Sequence, residues 1–191
     1  MTRVSIVFHS GFGHTARLAG AVQKGAASVH GTHVHLLSVA DVEAHWKTLD
    51  ESDAIVFGCP TYMGGPSAQF KAFADSTGSR WAKQAWKDKL AAGFTNSGSP
   101  AGDKLATLVQ LSIFAAQHAM NWITLGLNPS PTTNRLGSFL GATSQSPHGA
   151  ADDAAPPPDD LETGEMLGVR VAEAAQRWVR GRREAPVVAH V

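Results

Sequence analysis

Short apolar segments alternate along this chain with longer segments in which apolar residues recur at helical spacing. Strands joined through helices lie parallel within one sheet, because the helix returns the chain to the edge where the first strand began. The alternation therefore predicts an α/β fold built from βαβ units. The predicted strands cover residues 4–8, 34–37, 54–58, 90–94 and 122–125.

The segments between these strands place apolar side chains three or four residues apart, as on the buried face of a helix. We therefore expect helices to cover the sheet, and a last amphipathic helix to end before Gly181. The predicted core positions of the helices are Leu18, Val22, Ala26, Val29, Phe70, Phe73, Ala74, Leu105, Leu108, Val109, Phe114, Leu167, Val171, Ala174, Ala175 and Trp178.

The chain has 191 residues, the size of one ordinary domain, and we expect a single domain over residues 1–191. Lys and Arg balance Asp and Glu at 16 each, so no overall field attracts nucleic acid or an anionic membrane. No apolar stretch reaches the roughly 18 residues of a membrane span. The single cysteine, Cys59, excludes a disulfide framework and a multi-cysteine metal site. These features favour a cytoplasmic protein with a small-molecule partner, and neither nucleic acid nor a membrane as partner.

Residues 128–162 lack periodicity and are predicted to form a long irregular loop before the last helix. The first part of this loop, with Leu136, Phe139 and Leu140, is expected to dock near a functional site. Residues 150–160 are rich in Pro, Ala and Asp, which is typical of a mobile, solvated spacer. At the end of the chain, the basic tail RGRREAPVVAHV is expected to fray.

The turn after the first predicted strand, HSGFGHTA, combines two glycines with hydroxyl side chains. In a parallel sheet this turn leads into a helix N-terminus, whose N–H groups bind anions such as phosphate. Ser10 and Thr15 add hydroxyl donors, while Gly11 and Gly13 let the backbone curl around the anion. A Walker loop is excluded because its lysine is missing. A phosphate loop, the looser dinucleotide pattern G-x-G-x-x-A and a glycine turn without a ligand remain.

Two further loops, GCPTYMGGPSAQF and FTNSGSPAGDK, follow the third and fourth predicted strands and are also rich in glycine and hydroxyl groups. All three turns emerge at the carboxyl edge of a parallel sheet, where ligands gather. A dinucleotide would need mainly the first turn, whereas a flat ring held between the other two would use all three. The combination therefore favours a phosphorylated cofactor with a planar ring.

Together these loops resemble those of the flavodoxin-like NAD(P)H oxidoreductases, in particular the WrbA-type NAD(P)H:quinone oxidoreductases and related FMN reductases. HSGFGHT stands at the family's phosphate loop, PTYMGG and TNSGSPAG stand at its two ring loops, and QHAM is similar to its H-G-M stretch. The resemblance implies a flavodoxin-like, doubly wound, five-stranded parallel sheet flanked by helices. It also implies FMN as cofactor, NAD(P)H as electron donor, a quinone-like acceptor, and a homodimer or homotetramer.

The resemblance also implies roles for residues of this chain. Tyr62 and His118 are expected to contact the substrate as catalytic residues. Because the WrbA type carries Arg-Phe where this chain has Tyr62 and Met63, the broader FMN reductases are the better guide to substrate range. The residues implied to bind FMN are Ser10, Phe12, Gly13, His14 and Thr15 at the phosphate and ribityl end, Pro60, Thr61, Tyr62, Met63 and Gly64 along the ring, and Thr95, Asn96, Ser97 and Gly98 at its pyrimidine side.

Several of the reactive side chains also have a purely structural interpretation. His118 could pack beneath the fifth strand, and His14 could face solvent in the first turn of a helix. Cys59 is interpreted as a small buried residue at a strand end. His33 and His35 share a strand face with no carboxylate or cysteine grouped with them, so no metal site is predicted.

The predicted function is an FMN-dependent NAD(P)H oxidoreductase that passes two electrons to a quinone or similar acceptor in two half-reactions. The alternative is a flavodoxin-like electron carrier without substrate turnover of its own. Flavodoxins are strongly acidic, whereas this chain carries no net charge, which argues against the carrier. A third interpretation keeps the fold and lacks the cofactor, as in a regulatory or scaffolding domain.

Overall fold

The computed structural model describes residues 1–150 and 154–184. Part of the predicted spacer, 151–153, and the tail beyond 184 lie outside the described residues. No helix in the described part is both long and apolar enough to cross a membrane. The strands are β1 (Thr2–Phe8), β2 (Thr32–Ser38), β3 (Ala54–Tyr62), β4 (Gly65–Pro66), β5 (Leu90–Ser97), β6 (Asn121–Trp122) and β7 (Ala142–Gln145). The helices are α1 (His14–Ser28), α2 (Trp46–Asp50), α3 (Ala68–Ser76), α4 (Gly78–Ala82), α5 (Lys104–Gln117) and α6 (Pro158–Glu184).

These strands form one sheet, whose main path β2-β1-β3-β5-β6 is parallel throughout. The short β4 pairs antiparallel with the end of β3. The predicted α/β fold with a doubly wound parallel sheet is confirmed. Because β2 and β3 lie on opposite sides of β1, the strand order reverses at β1, and a crevice opens at the carboxyl ends of β1 and β3.

The fifth position of the sheet differs from the prediction of one strand over 122–125. β6 pairs with the first two residues of β5, and β7 pairs with its last four, so residues 123–141 leave the sheet between them. The Trp122 indole lies against Gly93 of β5, where no side chain competes for the space. Its Nε1 donates to the Leu140 carbonyl at 2.9 Å and ties the two halves together.

Alternate residues of the central strands are buried on opposite faces of the sheet, as expected for strands covered on both sides. On one face, Val4 and Ile6 pack against α1 and α6. On the other, Val7 and Phe57 pack in a cluster that includes the buried rings of α3 and the fully buried Trp86. Both faces are therefore occupied, and ligand access is left to the edges of the sheet.

Helix α5 buries only part of the predicted face, in which Phe114 packs partly buried against the core. Leu108 is buried as predicted, but Leu105 and Val109 are exposed, and Ile113 one turn later is exposed too. The buried side includes Leu111, which was not among the predicted core positions. Because apolar residues lie on both the buried and the exposed side of this helix, their spacing alone does not select the face that meets the sheet.

The segment predicted as an irregular loop over 128–162 is partly regular, because it contains β7 and because α6 begins at Pro158. The spacer within it is also less solvated than predicted. Ala155 is buried, and so is Asp160, which forms an ion pair with Arg135 at 2.7 Å. The pair fastens the start of α6 to the segment that precedes β7.

Candidate active site

A cleft opens at the carboxyl edge of the sheet, beside the crevice between β1 and β3. Its volume is about 1000 Å³, in the range of small-molecule and cofactor sites. The loops that follow β1, β3, β5 and β7 all contribute to its wall. The lining residues are Phe12, His14, Thr15, Pro60, Thr61, Tyr62, Met63, Gly64, Asn96, Ser97, Gly98, Ser99, Gly102, Asp103, Ser146, Pro147, His148, Gly149 and Ala150.

The first wall of the cleft is the turn from β1 into α1. Gly13 adopts φ of 83°, a left-handed conformation that glycine tolerates and most residues do not. The Ser10 hydroxyl accepts a hydrogen bond from the Ala16 N–H at 3.1 Å, which holds the turn over the start of the helix. Thr15 is buried and lines the cleft. The N-terminus of α1, with its partial positive charge, therefore borders the cavity.

The second wall is the tight turn between β3 and β4. Met63 and Gly64 both have positive φ, 48° and 79°, which reverses the chain within two residues. The Tyr62 hydroxyl group lies so close to Gly11 that a Cβ at that glycine would clash with it. The Tyr62 ring meets Phe12 edge to face, with centroids 6.4 Å apart, and partial burial raises the pKa of its hydroxyl. Tyr62 thereby links the first two loops at the mouth of the cleft.

A buried chain of hydroxyl groups supports the floor of the cleft. Thr61 Oγ1 lies 2.8 Å from Thr95 Oγ1 and 2.8 Å from Thr107 Oγ1, and Thr95 donates to the Cys59 carbonyl at 2.7 Å. Thr95 is therefore turned into the protein beneath the lining residues. Burial raises the pKa of the Cys59 thiol to about 12, so this cysteine is a protonated core residue, as the sequence interpretation has it.

The loop after β7 is a fourth wall that the sequence analysis missed. The Asn96 side-chain oxygen at the end of β5 accepts hydrogen bonds from Ser144 at 2.8 Å and Ser146 at 3.0 Å. The Asp160 carboxylate accepts from the Gln145 N–H at 2.8 Å. These contacts hold residues 146–150 beside the third loop, residues 98–103 between β5 and α5, which forms the third wall of the cleft. The sequence signal for this loop is SPHG, residues 146–149, in which proline and glycine indicate a turn. The strand before it, ATSQ at residues 142–145, is too short and polar to be recognised from the sequence.

The structure brings most of the predicted FMN-binding residues to one cavity. The other three predicted residues, Ser10, Gly13 and Thr95, shape or support the loops but do not line the cavity. Ser99, Gly102 and Asp103 line it although they were not named from the sequence. Leu136, Phe139 and Leu140 do not reach the cleft. They line a second cavity of about 870 Å³ on the other side of the third loop.

The structure places His118 at the other edge of the sheet and outside the residues that line the cleft, although the resemblance implies a contact to the ring edge. His118 follows the end of α5 and precedes β6, whose Asn121 pairs with Leu90, the first residue of β5. Its ring packs on Trp86 with centroids 4.6 Å apart, and it is buried. A helix that starts at the carboxyl edge ends at the amino edge, so the residue after α5 lies far from the cleft.

The hydrogen bonds of His118 define its tautomer. Thr77 Oγ1 donates its one proton to the Ala74 carbonyl at 2.7 Å, so His118 Nε2 donates to Thr77 Oγ1 at 2.9 Å. Nδ1 is then the bare nitrogen, and it is buried without a hydrogen-bond partner among the described residues. Burial lowers the pKa of this imidazole, because a proton on Nδ1 would be an unsolvated charge.

We expect the His118→Phe variant to lose less stability than the parent when the pH is lowered. In the folded protein the pKa of His118 is below its ordinary value of 6.5. Between the pKa of the folded chain and that of the unfolded chain, only the unfolded chain binds a proton at His118. The free energy of unfolding therefore falls as pH decreases. Urea unfolding at pH 7 and at pH 5 should show a smaller decrease in the free energy of unfolding for the variant than for the parent. His30→Phe, at an exposed position, serves as control. An equal loss of stability in His118→Phe and the parent would contradict a lowered pKa of His118 in the folded protein.

A family model described as NADPH-dependent FMN reductase matches residues 32–128. Flavodoxin FldP of Pseudomonas aeruginosa is 42% identical, over 93% of this chain and 98% of that protein. An NAD(P)H dehydrogenase (quinone) of Archaeoglobus fulgidus is 34% identical, over 93% of this chain and 99% of that protein. The chain belongs to the NADPH-dependent FMN reductase family.

A solved structure supports the same membership of the FMN reductase family. A WrbA-like flavodoxin from Agrobacterium tumefaciens matches with a TM-score of 0.76 and 40% identity, over 93% of this chain and 99% of that one. The sequence-based resemblance is therefore confirmed. The chain is an oxidoreductase of this family, with FMN as cofactor and NAD(P)H as electron donor.

The cleft has the features that FMN requires. A helix N-terminus stands at one end, beside a glycine turn, and suits a phosphate. The opposing walls, Tyr62 with Met63 and the loop from Ser97 to Asp103, leave a gap between them. A Cβ at Gly102 would clash with the Ser97 hydroxyl, so only glycine lets the third loop fold back this tightly. The residues present therefore fit the cofactor that family membership implies.

Proposed function

We propose that this FMN reductase family member binds FMN in the cleft and passes two electrons from NAD(P)H to a quinone or similar small acceptor. The observation that carries the proposal is the convergence of four strand-end loops on one cavity at the reversal point of the sheet. A single domain supplies all of these loops. A nicotinamide and an acceptor would use the same open side in turn.

The proposed roles follow from the position of each loop. Thr15, with the α1 N-terminus, would hold the phosphate, and Ser10 and Gly13 would shape its turn. Residues 60–64 would cover one side of the ring. Residues 96–98 would offer polar groups to its pyrimidine side.

When bound, FMN supplies the acceptance and release of the electron pair. The chain contributes orientation, exclusion of water and hydrogen-bond donors near the cofactor. The donors favour negative charge there. Transfer of an electron pair needs no nucleophilic side chain. The Cys59 thiol is unsuited to such a role, because it is buried and its pKa is raised to about 12. Tyr62, partly exposed at the mouth, is placed to contact the incoming substrate.

The acceptor class is proposed from the relatives. Besides the protein from Archaeoglobus, a quinone-oxidoreductase QR2 of Triphysaria versicolor is 32% identical over 84% of this chain. The mouth of the cleft carries the exposed apolar side chains of Phe12 and Met63 and the partly exposed ring of Tyr62. Such a surface suits a planar apolar acceptor.

The relative at 42% identity, which is named a flavodoxin, supports the electron carrier as a second candidate. The two candidates differ in what the purified protein does alone. After reconstitution with FMN, the absorption spectrum tests whether the cofactor binds. Steady oxidation of NADPH with a soluble benzoquinone would then support the enzyme. A bound flavin that is reduced only by a separate reductase would support the carrier.

Helix α5 suggests that the protein is a homo-oligomer. Its outward residues Leu105, Val109 and Ile113 lie four apart and are exposed, and its charged residue, Lys104, is buried. A helix that is uncharged on both faces is ordinarily covered on both. A second copy of the chain, which presents the same face, is the occupant that we propose.

Ile113→Glu tests this interface. A carboxylate in the centre of an apolar contact would remain unpaired, so we expect the variant to sediment as a smaller species than the parent. Ala27→Glu, at an exposed position of α1, introduces the same charge elsewhere and should leave the size unchanged. Identical sedimentation of the parent and both variants would remove α5 from the interface.

A further inference from the structure

Lys104 is a buried lysine behind the third wall of the cleft. It is 3% exposed, and its Nζ donates to the Ser99 carbonyl at 2.6 Å and the Pro100 carbonyl at 2.9 Å. Ser99 lines the cleft, whereas Lys104 and Pro100 line the second cavity. The ammonium group therefore stands on the far side of a wall that is one loop thick.

The two hydrogen bonds hold the carbonyl oxygens of this loop toward Lys104. If they turned into the cleft, their partial negative charge would oppose the electron-rich edge of a bound ring. Ser97 Oγ also donates to the Ser99 carbonyl, at 3.2 Å, and the Lys104 N–H donates to the Ala101 carbonyl at 3.2 Å. The carbonyl groups of three consecutive residues, 99–101, are thus held by hydrogen bonds, and Lys104 donates to each of them.

The positive charge of Lys104 has no paired carboxylate in the described part of the chain. Asp160 and Arg135 are the charged side chains that face it, and they pair with each other at 2.7 Å. Asp103 precedes it and caps α5 in a left-handed conformation. Burying an ammonium group is costly, and a methionine of similar length would fill the space without that cost. A charge kept here at such a cost indicates a use near the cleft.

We propose that Lys104 is a positioning residue of the FMN site: it keeps the Ser99 and Pro100 carbonyls out of the cleft and places a positive charge behind that wall. Both effects favour negative charge in the cleft, so Lys104 strengthens FMN binding and favours the reduced cofactor over the oxidised one. The proposal rests on the proposed FMN site. It extends the binding machinery to a residue that does not line the cleft.

The charge state of Lys104 makes the proposal testable by pH. Burial lowers its pKa to about 8, partly offset by Asp160. As pH rises through this value the ammonium group loses its proton, and a bound anion would move that loss to higher pH. FMN affinity in the parent should therefore fall between pH 7 and pH 9.

The decisive comparison uses Lys104→Met, Lys104→Arg and the control Lys83→Met, which removes one exposed lysine and changes net charge equally. At pH 7 we expect Lys104→Met to bind FMN about tenfold more weakly by fluorescence titration. We also expect a tenfold lower preference for the reduced cofactor, a shift of about 30 mV to lower potential for a two-electron couple. Lys104→Arg should recover most of the potential, and Lys83→Met should match the parent.

Equal potentials and an equal fall in affinity with pH in Lys104→Met and the parent would overturn the proposal, even if the variant were less stable. Lys104→Gln, which keeps polarity without charge, replaces the methionine variant if that variant does not fold. Absence of FMN binding by the parent itself would instead defeat the proposed function. If the parent binds FMN, and Lys104→Met matches the parent in FMN affinity and potential, only the inference about Lys104 is wrong.

Discussion

Replacing Ser10 and Thr15 together by alanine is expected to weaken FMN binding about 30-fold, or roughly 2 kcal/mol. The Ser10 hydroxyl receives the Ala16 N–H at 3.1 Å and so shapes the turn that would surround the phosphate. Thr15 lines the cleft and is buried, which leaves its hydroxyl group near the proposed anion. A hydrogen bond to a charged group is worth about 1.5–3 kcal/mol, so loss of the Thr15 donor accounts for most of the expected effect.

The matched control for this pair is Ser28→Ala at the other end of α1. There the hydroxyl donates to the Gly25 carbonyl at 2.7 Å and cannot reach the cleft. Fluorescence titration gives the dissociation constant of each variant, and urea unfolding of the apoprotein separates a loss of stability from a loss of binding. An unchanged dissociation constant in a folded double variant would remove the β1 turn from the phosphate site.

Gly25→Ala is expected to lower the free energy of unfolding by about 3 kcal/mol, which in a chain of this size lowers the melting temperature by several degrees. Helices α1 and α6 pack so closely that a Cβ at Gly25 would overlap the Glu165 carbonyl, and one at Gly168 would overlap the Val22 carbonyl. Backbone atoms cannot rotate away as side chains do. The two helices must separate, and with them the apolar contacts that cover one face of the sheet.

Gly20→Ala on the same helix gives the contrast. No atom lies within 4 Å of the position that its Cβ would take, so the change gains helix propensity without a clash. We expect that variant to be as stable as the parent or more so, by up to about 1 kcal/mol. If Gly25→Ala and Gly20→Ala unfold at the same urea concentration, close packing of α1 on α6 is not a source of stability.

The fold class and three of the four walls of the cleft could be predicted from the sequence. Strand positions follow from short apolar runs, and their parallel pairing follows from the helices between them. Because parallel strands end at one edge, glycine-rich turns such as those before Thr15 and after Pro60 must meet there. Each of these inferences needs only residues that are close in sequence, plus one rule of sheet geometry.

The tertiary structure decided what depends on contacts between distant residues. It divided the fifth strand between β6 and β7, brought the loop after Gln145 to the cleft and turned Leu105 outward. It also placed His118 at the edge away from the cleft and Lys104 behind the third loop. Local periodicity reports which residues are apolar, whereas packing decides which neighbour each one meets. That choice depends on the free energy of the whole core, so no short segment of sequence contains it.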